Sequence, residues 1–402
     1  MILRKEMNIS QLVNSPPHLL IYLLCLGLLF YREPDGFLNP QFWAEDGVIC
    51  FGQSLTLGWS AIWEPQAGYL ILIPRLVAYL GSFFPISWAP TLYNFSFVIL
   101  ILFVISSLLS SRIPLPFKPL LAIAIVLVPS NGEILMSIVN IQWFLAVVLI
   151  LVIIQEKPNT THQWLLDTFM ITTIGLTGPF IILFFPLFIF RLIYICRSYY
   201  SVYLLFMALL LSLVQGYWIV MGGNLHSGNH LGFSFTALEQ VLALRFSGML
   251  FFGDYISLAF NVHVLAGMTI IVIAGLMTLA MVEPHHRRLP VIVFLIGGFL
   301  VTFASFYKFR YNPFLLVPFD NGARYFYLPH LLIVWSFIMF LDSKKITRSV
   351  SILLLLMVLF SKLTHFQVAP LKDFHWERYS SQIERGEIKK IPINPKGWFI
   401  FI

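Results

Sequence analysis

Residues 88–110 read WAPTLYNFSFVILILFVISSLLS, a run of 23 positions without one Asp, Glu, Lys or Arg. A helix rises about 1.5 Å per residue, so roughly 20 apolar residues cross the hydrocarbon layer of a bilayer, and this stretch is long enough. It is not isolated. Of the 402 residues, 59% are apolar and only 11% charged, against about 25% charged in soluble domains. The apolar runs do not alternate with period two, which argues against an outer-membrane barrel. The expected fold is therefore all-α, a polytopic bundle of transmembrane helices.

Working outward from 88–110, apolar runs place spans near 11–31, 119–129, 141–154, 164–174, 180–195, 202–221, 256–282, 289–307, 325–341 and 350–363, about eleven in all. Arg4 and Lys5 precede the first, no small-residue cleavage site follows it, and Leu-Leu before Cys25 is a poor lipidation box, so it reads as a retained anchor. Cytoplasmic loops retain Lys and Arg. With the N-terminus inside, the inner loops hold Arg4, Lys5, Arg112, Lys118, Lys157, Arg191, Arg197, Arg287, Arg288, Lys344, Lys345 and Arg348. The outer ones hold Arg32, Arg75, Arg245, Lys308, Arg310 and Arg324 before the tail. The net charge of +7 thus reflects membrane orientation rather than nucleic-acid binding. An odd span count puts the C-terminus outside. Residues 68–84 are apolar but contain Pro74 and Arg75, and they read as an external, partly embedded segment. Two regions result: a membrane domain over 1–363 that includes the external loop 32–87, and a periplasmic tail over 364–402.

Acidic residues gather on the outer side, where the orientation rule does not require them. The strongest group opens the first external loop: Phe42-Trp43-Ala44-Glu45-Asp46-Gly47. Behind it Val48, Phe51, Leu55, Trp59 and Ile62 are spaced along one face of a helix lying in the interface. The acidic pair sits at the N-terminal end of that helix, where its dipole favours negative charge. Two readings stand side by side, a capping cluster and a catalytic carboxylate. Glu64, Gln66, Tyr69 and Arg75 in the same loop supply acid, amide, phenol and cation for the second.

The motifs Phe42–Gly47, Gln66-Ala67-Gly68-Tyr69-Leu70, Asn140-Ile141-Gln142-Trp143, Thr177-Gly178-Pro179-Phe180, Gly322-Ala323-Arg324-Tyr325-Phe326 and Pro392-Ile393-Asn394-Pro395-Lys396-Gly397-Trp398, in this order of spans and loops, resemble the GT-C superfamily of polyprenyl-phosphate-sugar-dependent glycosyltransferases. More narrowly they are similar to bacterial O-antigen glucosyltransferases of serotype conversion, although the chain lacks the large external C-terminal domain of bigger superfamily members. The resemblance implies a polyprenyl (undecaprenyl) phosphate sugar as donor, O-antigen or another surface glycan as acceptor, the bacterial inner membrane as location, and an upstream donor synthase and flippase. It implies Glu45 or Asp46 as general base. Neighbouring helical positions point about 100° apart, so one of the two faces the site.

For the donor phosphate the external cations are Arg75, Arg324, Arg245, Lys308 and Arg310, with Arg75 and Arg324 preferred because a guanidinium fork holds two oxygens. Snorkelling to the headgroups predicts the same positions. For the sugar, Glu64, Tyr69, Glu133, Gln142 and Trp143 offer hydrogen bonds and a stacking face, with an interfacial turn and belt tryptophan as the alternative. No cofactor is expected. The cysteines Cys25, Cys50 and Cys196 lack metal-ligand spacing, and His226 and His230 lie in a glycine-rich loop that reads as a lid rather than a metal site. Two rival classes remain: a lipid or glycan transporter, which would bury ionisable groups at mid-membrane where this chain has chiefly Asp167 and His263, and a non-catalytic envelope-assembly protein. The tail is too short for its own core and is expected to pack on the external loops.

Overall fold

A computed structural model describes residues 18–128, 132–222, 234–317, 319, 322–363, 366–387 and 389–401. The architecture is an all-helical bundle with one small antiparallel hairpin, Lys390–Ile393 against Trp398–Phe401. Among the described residues six helices are long and apolar enough to cross a membrane: Ile86–Leu109, Tyr199–Met221, Phe235–Phe252, Val262–Val282, His285–Lys308 and Arg324–Asp342. Shorter apolar helices among the described residues include His18–Arg32, Leu72–Gly81, Lys118–Leu127, Ile141–Ile154 and Phe185–Ile195. By length and composition, six spans are accounted for among the described residues. Among the described residues, a helix falls within each stretch where a span was expected.

One of the six lies where a loop was expected. Phe235–Phe252 was concealed by Glu239 and Arg245, which break its apolar run. The structure resolves the difficulty by burying Arg245, whose Nε donates to the Leu316 carbonyl at 2.8 Å and whose guanidinium lies over the Phe326 ring at 5.2 Å. The expected embedded segment is a ten-residue helix, Leu72–Gly81, too short to cross. The interfacial helix after the acidic pair is present but broken. A π-helical turn over Asp46–Phe51 passes into Gly52–Leu57, and Gly58 at φ +57° resets the phase. Trp59 is consequently 59% exposed while Phe51 and Ile62 are buried.

The core runs through Ile141–Ile154, buried at every position, and Arg324–Met339 packed beside it. At one end of the bundle a polar cluster ties helices together. Asp167 receives both Arg112 terminal nitrogens, at 2.9 and 2.7 Å, and the Tyr200 hydroxyl at 2.6 Å. Arg191 caps the carbonyls of Ile153 and Gln155 at 2.6 and 2.8 Å, where Ile141–Ile154 ends. Asp167, one of two ionisable groups that a transport reading would single out, is thus committed to an ion pair. The other, His263, sits 78% exposed beside Glu239. At the opposite end gather the loops bearing the acidic pair, residues 132–142, 175–180 and 322–325, and the tail. The tail packs there as expected: the Leu371 amide donates to Asp35, the Phe374 amide to Gln41, and Trp376 sets its edge on Phe42 at 4.9 Å. Removing Asp167 strands a buried guanidinium. Asp167→Ala should lower stability by about 3–5 kcal/mol, read as a fall in Tm of the purified protein, and Arg112→Leu with Asp167→Leu should recover part of it.

Candidate functional site

The acidic pair divides. Asp46 is buried, and its carboxylate accepts the amides of Val139 at 2.8 Å and Ile138 at 3.2 Å and the Ser137 hydroxyl at 3.3 Å. It thereby fastens the first loop to the segment that opens helix Ile141–Ile154. Burial pushes its pKa up to about 8, against the opposing pull of those donors. Glu45 is half-buried, takes no part in these bonds, and its charge reaches the Arg324 guanidinium. Arg324 is itself paired with Glu133 at 2.7 Å.

Around that pair the structure brings together most of the expected residues. Tyr69 stands at a tight turn, with Gln66 and Tyr69 exchanging backbone bonds of 2.8 and 3.1 Å, and its phenol adjoins Gln142, Lys308, Tyr325 and Arg324. Trp143 is wedged edge-on between Phe180 at 5.0 Å and Tyr325 at 5.2 Å. The Lys308 ammonium lies 5.1 Å from the Tyr325 ring centre. Gln142 gives its amide nitrogen to the Val139 carbonyl at 3.0 Å, leaving Oε1 buried with no hydrogen-bond partner. Trp143 Nε1 is likewise buried and unbonded. One unsatisfied acceptor and one unsatisfied donor, on neighbouring residues, match the two hydrogen-bonding roles of a hydroxyl group. Gly178 makes this arrangement possible. It adopts φ +93°, and a Cβ there would stand 2.4 Å from Gln142 Oε1.

Other candidates lie apart. Arg75 is enclosed within the first loop, bonded to the Ile49 carbonyl and Gln53 Oε1, both at 2.7 Å, and to the Glu64 carbonyl at 3.1 Å. Its guanidinium holds the loop's shape, and Arg245 is similarly engaged inside the bundle. Glu64 is exposed, its backbone rather than its carboxylate tied to this network. Arg310 stacks on Tyr307 and Tyr311 at 4.5 Å each. With Tyr307 it lines an apolar cavity of about 860 Å³ between Phe235–Phe252, Val262–Val282, His285–Lys308 and Arg324–Met339. The end of helix His285–Lys308 thus joins the polar cluster, through Lys308, to this cavity. His226 and His230 lie outside the described residues, and among the described residues no cluster of His, Cys, Asp or Glu could hold a metal ion.

Sequence reading missed Ser137 and Gln215. Gln215 is wholly buried; its Oε1 accepts the Leu70 amide at 2.9 Å, and its nitrogen reaches the carbonyls of Gly178, Leu70 and Gly175 at 3.1–3.2 Å. A lone amide in an otherwise apolar span was the available signal. No protein family, curated protein or solved structure matches this chain.

The Asp46 carboxyl titrates near 8 when folded and near 3.8 when free, so the unfolded chain loses its proton first. Stability should fall as pH rises from about 4 to about 8 and then level off. Glu33, also pushed up to about 8 by burial, titrates in the same window. Thermal unfolding of wild type minus Asp46→Asn across this range isolates the Asp46 share, and the difference should shrink as pH rises.

Proposed function

We propose that this chain is a GT-C-like glycosyltransferase of the bacterial inner membrane, moving a hexose, glucose by the narrower resemblance, from polyprenyl phosphate to a surface glycan at the periplasmic face. The observation that carries the reading is a carboxylate, Glu45, at a polar cluster with unsatisfied hydroxyl-matching groups, joined by one helix end to an apolar cavity. Lipid-linked sugars need that combination.

The division of labour follows from what each group already holds. Asp46 has its oxygens occupied by three donors and acts as an anchor. Glu45 is the general base. The acceptor hydroxyl gives its proton to Glu45 as its oxygen forms a bond to the anomeric carbon, and the bond from that carbon to the phosphate oxygen breaks, with inversion. Polyprenyl phosphate leaves with the electron pair. Its charge falls to Lys308 and Arg310, since Arg75 and Arg245 are engaged elsewhere and Arg324 is paired with Glu133. Gln142 Oε1 and Trp143 Nε1 take sugar hydroxyls, Tyr69 and Tyr325 close the sides, and the apolar chain runs in the cavity. In this reading the candidate site and the tail packed on it lie at the periplasmic face.

Purified protein is given labelled polyprenyl-phosphate hexoses and the lipid-linked glycan of the host. Glu45→Gln should lower kcat by about 10²–10⁴-fold with Tm retained. Lys308→Gln should raise KM for the lipid donor by about tenfold, the loss of one charge-assisted contact. Absence of transfer by wild type across the donor panel would turn the assignment towards transport or envelope assembly.

A further inference from the structure

We infer that the C-terminal hairpin sets the direction of Glu45, with Asn394 as the positioning residue; the inference rests on Glu45 being the base. The hairpin does more than cover the loop. Trp43 pairs with Asn394 in parallel, the Ala44 amide donates to the Asn394 carbonyl at 2.5 Å, and the Asn394 amide donates to the Phe42 carbonyl at 3.3 Å. Residues 42–44 are thus laid along the hairpin as an added edge. Asn394 is 5% exposed, and its side chain is closed on a single residue: Nδ2 donates to the Lys372 carbonyl at 2.9 Å while Oδ1 accepts the Lys372 amide at 3.1 Å. The carboxamide therefore ties the hairpin to the strand of tail that precedes it.

The consequence falls on the residue before Glu45. Ala44 adopts φ +35°, a region that a residue with a Cβ enters only when its surroundings hold it there. Two bonds do so, Ala44 N to Asn394 and Asp46 N to the Trp43 carbonyl at 2.8 Å. This kink separates two adjacent carboxylates, sending Asp46 to residues 137–139 and Glu45 towards Arg324. The hairpin also grips the far side. A Cβ on Gly47 would stand 2.7 Å from Ile393 Cδ1 and 3.0 Å from Ile400 Cδ1. Both flanks of Glu45 are thereby set by residues about 350 positions away, as the pairing of Trp43 with Asn394 shows.

The test uses the full chain in lipid nanodiscs, as wild type, Asn394→Ala and Asn394→Asp, with amide hydrogen exchange followed beside transfer. Asn394→Ala should speed exchange over residues 42–50 by about tenfold, a local opening, and leave helix Ile141–Ile154 unchanged. A base displaced by an ångström or so costs about 10²-fold in kcat, with KM for the donor unchanged and the pH profile of kcat shifted. Asn394→Asp keeps the acceptor for the Lys372 amide and should recover part of both effects. Unchanged exchange over 42–50, a rise spread equally into Ile141–Ile154, or faster local exchange with unchanged kcat would each overturn the inference. Exchange does not depend on the chemistry: a wild type without transfer whose Asn394→Ala variant opens only at 42–50 would sink the transferase reading and leave the hairpin's hold on Glu45 standing.

Discussion

A buried carboxyl group on backbone amides holds one end of this molecule together. Asp46 reaches across from the first loop to the amides of Ile138 and Val139, immediately before the fully buried helix Ile141–Ile154. Everything near the candidate site is measured from that attachment. Gln142 and Trp143 follow it by one helical turn, Glu45 precedes it by one residue, and the tail hairpin closes over Gly47 beside it. A group pushed up to about 8 by burial persists there because its donors are backbone amides, which would otherwise be buried without partners.

The same economy recurs elsewhere. In a chain with few charges, polar side chains are spent where helices break and leave carbonyls exposed to an apolar medium. Arg32 donates to the carbonyls of Val126 and Val128, Arg191 to those of Ile153 and Gln155, Arg75 to those of Ile49 and Glu64, and Gln215 to those of Leu70, Gly175 and Gly178. Each is one long side chain serving two or three backbone groups. Scarcity of charge is thus an unreliable pointer to chemistry: most of the buried cations are holding irregular backbone in place. At the candidate site two polar atoms on adjacent residues, Gln142 Oε1 and Trp143 Nε1, are left without a hydrogen-bond partner.

Much of the helix pattern was legible because hydropathy is a local property summed along the chain. Phe235–Phe252 escaped because a single arginine outweighs several leucines in such a sum, and burial of Arg245 against Leu316 and Phe326 depends on residues some 70 and 80 positions away. Trp59 was read onto one face with Val48, Phe51, Leu55 and Ile62 because a constant 100° step was assumed, and Gly58 at φ +57° interrupts that step. Arg75 and Arg324 looked alike as cations at the edges of apolar runs. One proves to be enclosed by its own loop, the other paired with Glu133.

The sequence alone determined the class of this protein, an all-helical apolar bundle, because composition and run length need no knowledge of contacts. It also singled out Glu45 and Asp46 as a pair. Only tertiary structure sets them apart. Which groups a carboxylate meets depends on the segments brought beside it: Asp46 meets the donors of residues 137–139, while Glu45 is left within the field of Arg324 beyond the kink at Ala44 that Asn394 holds. These are long-range pairings, and no local pattern of residues encodes them.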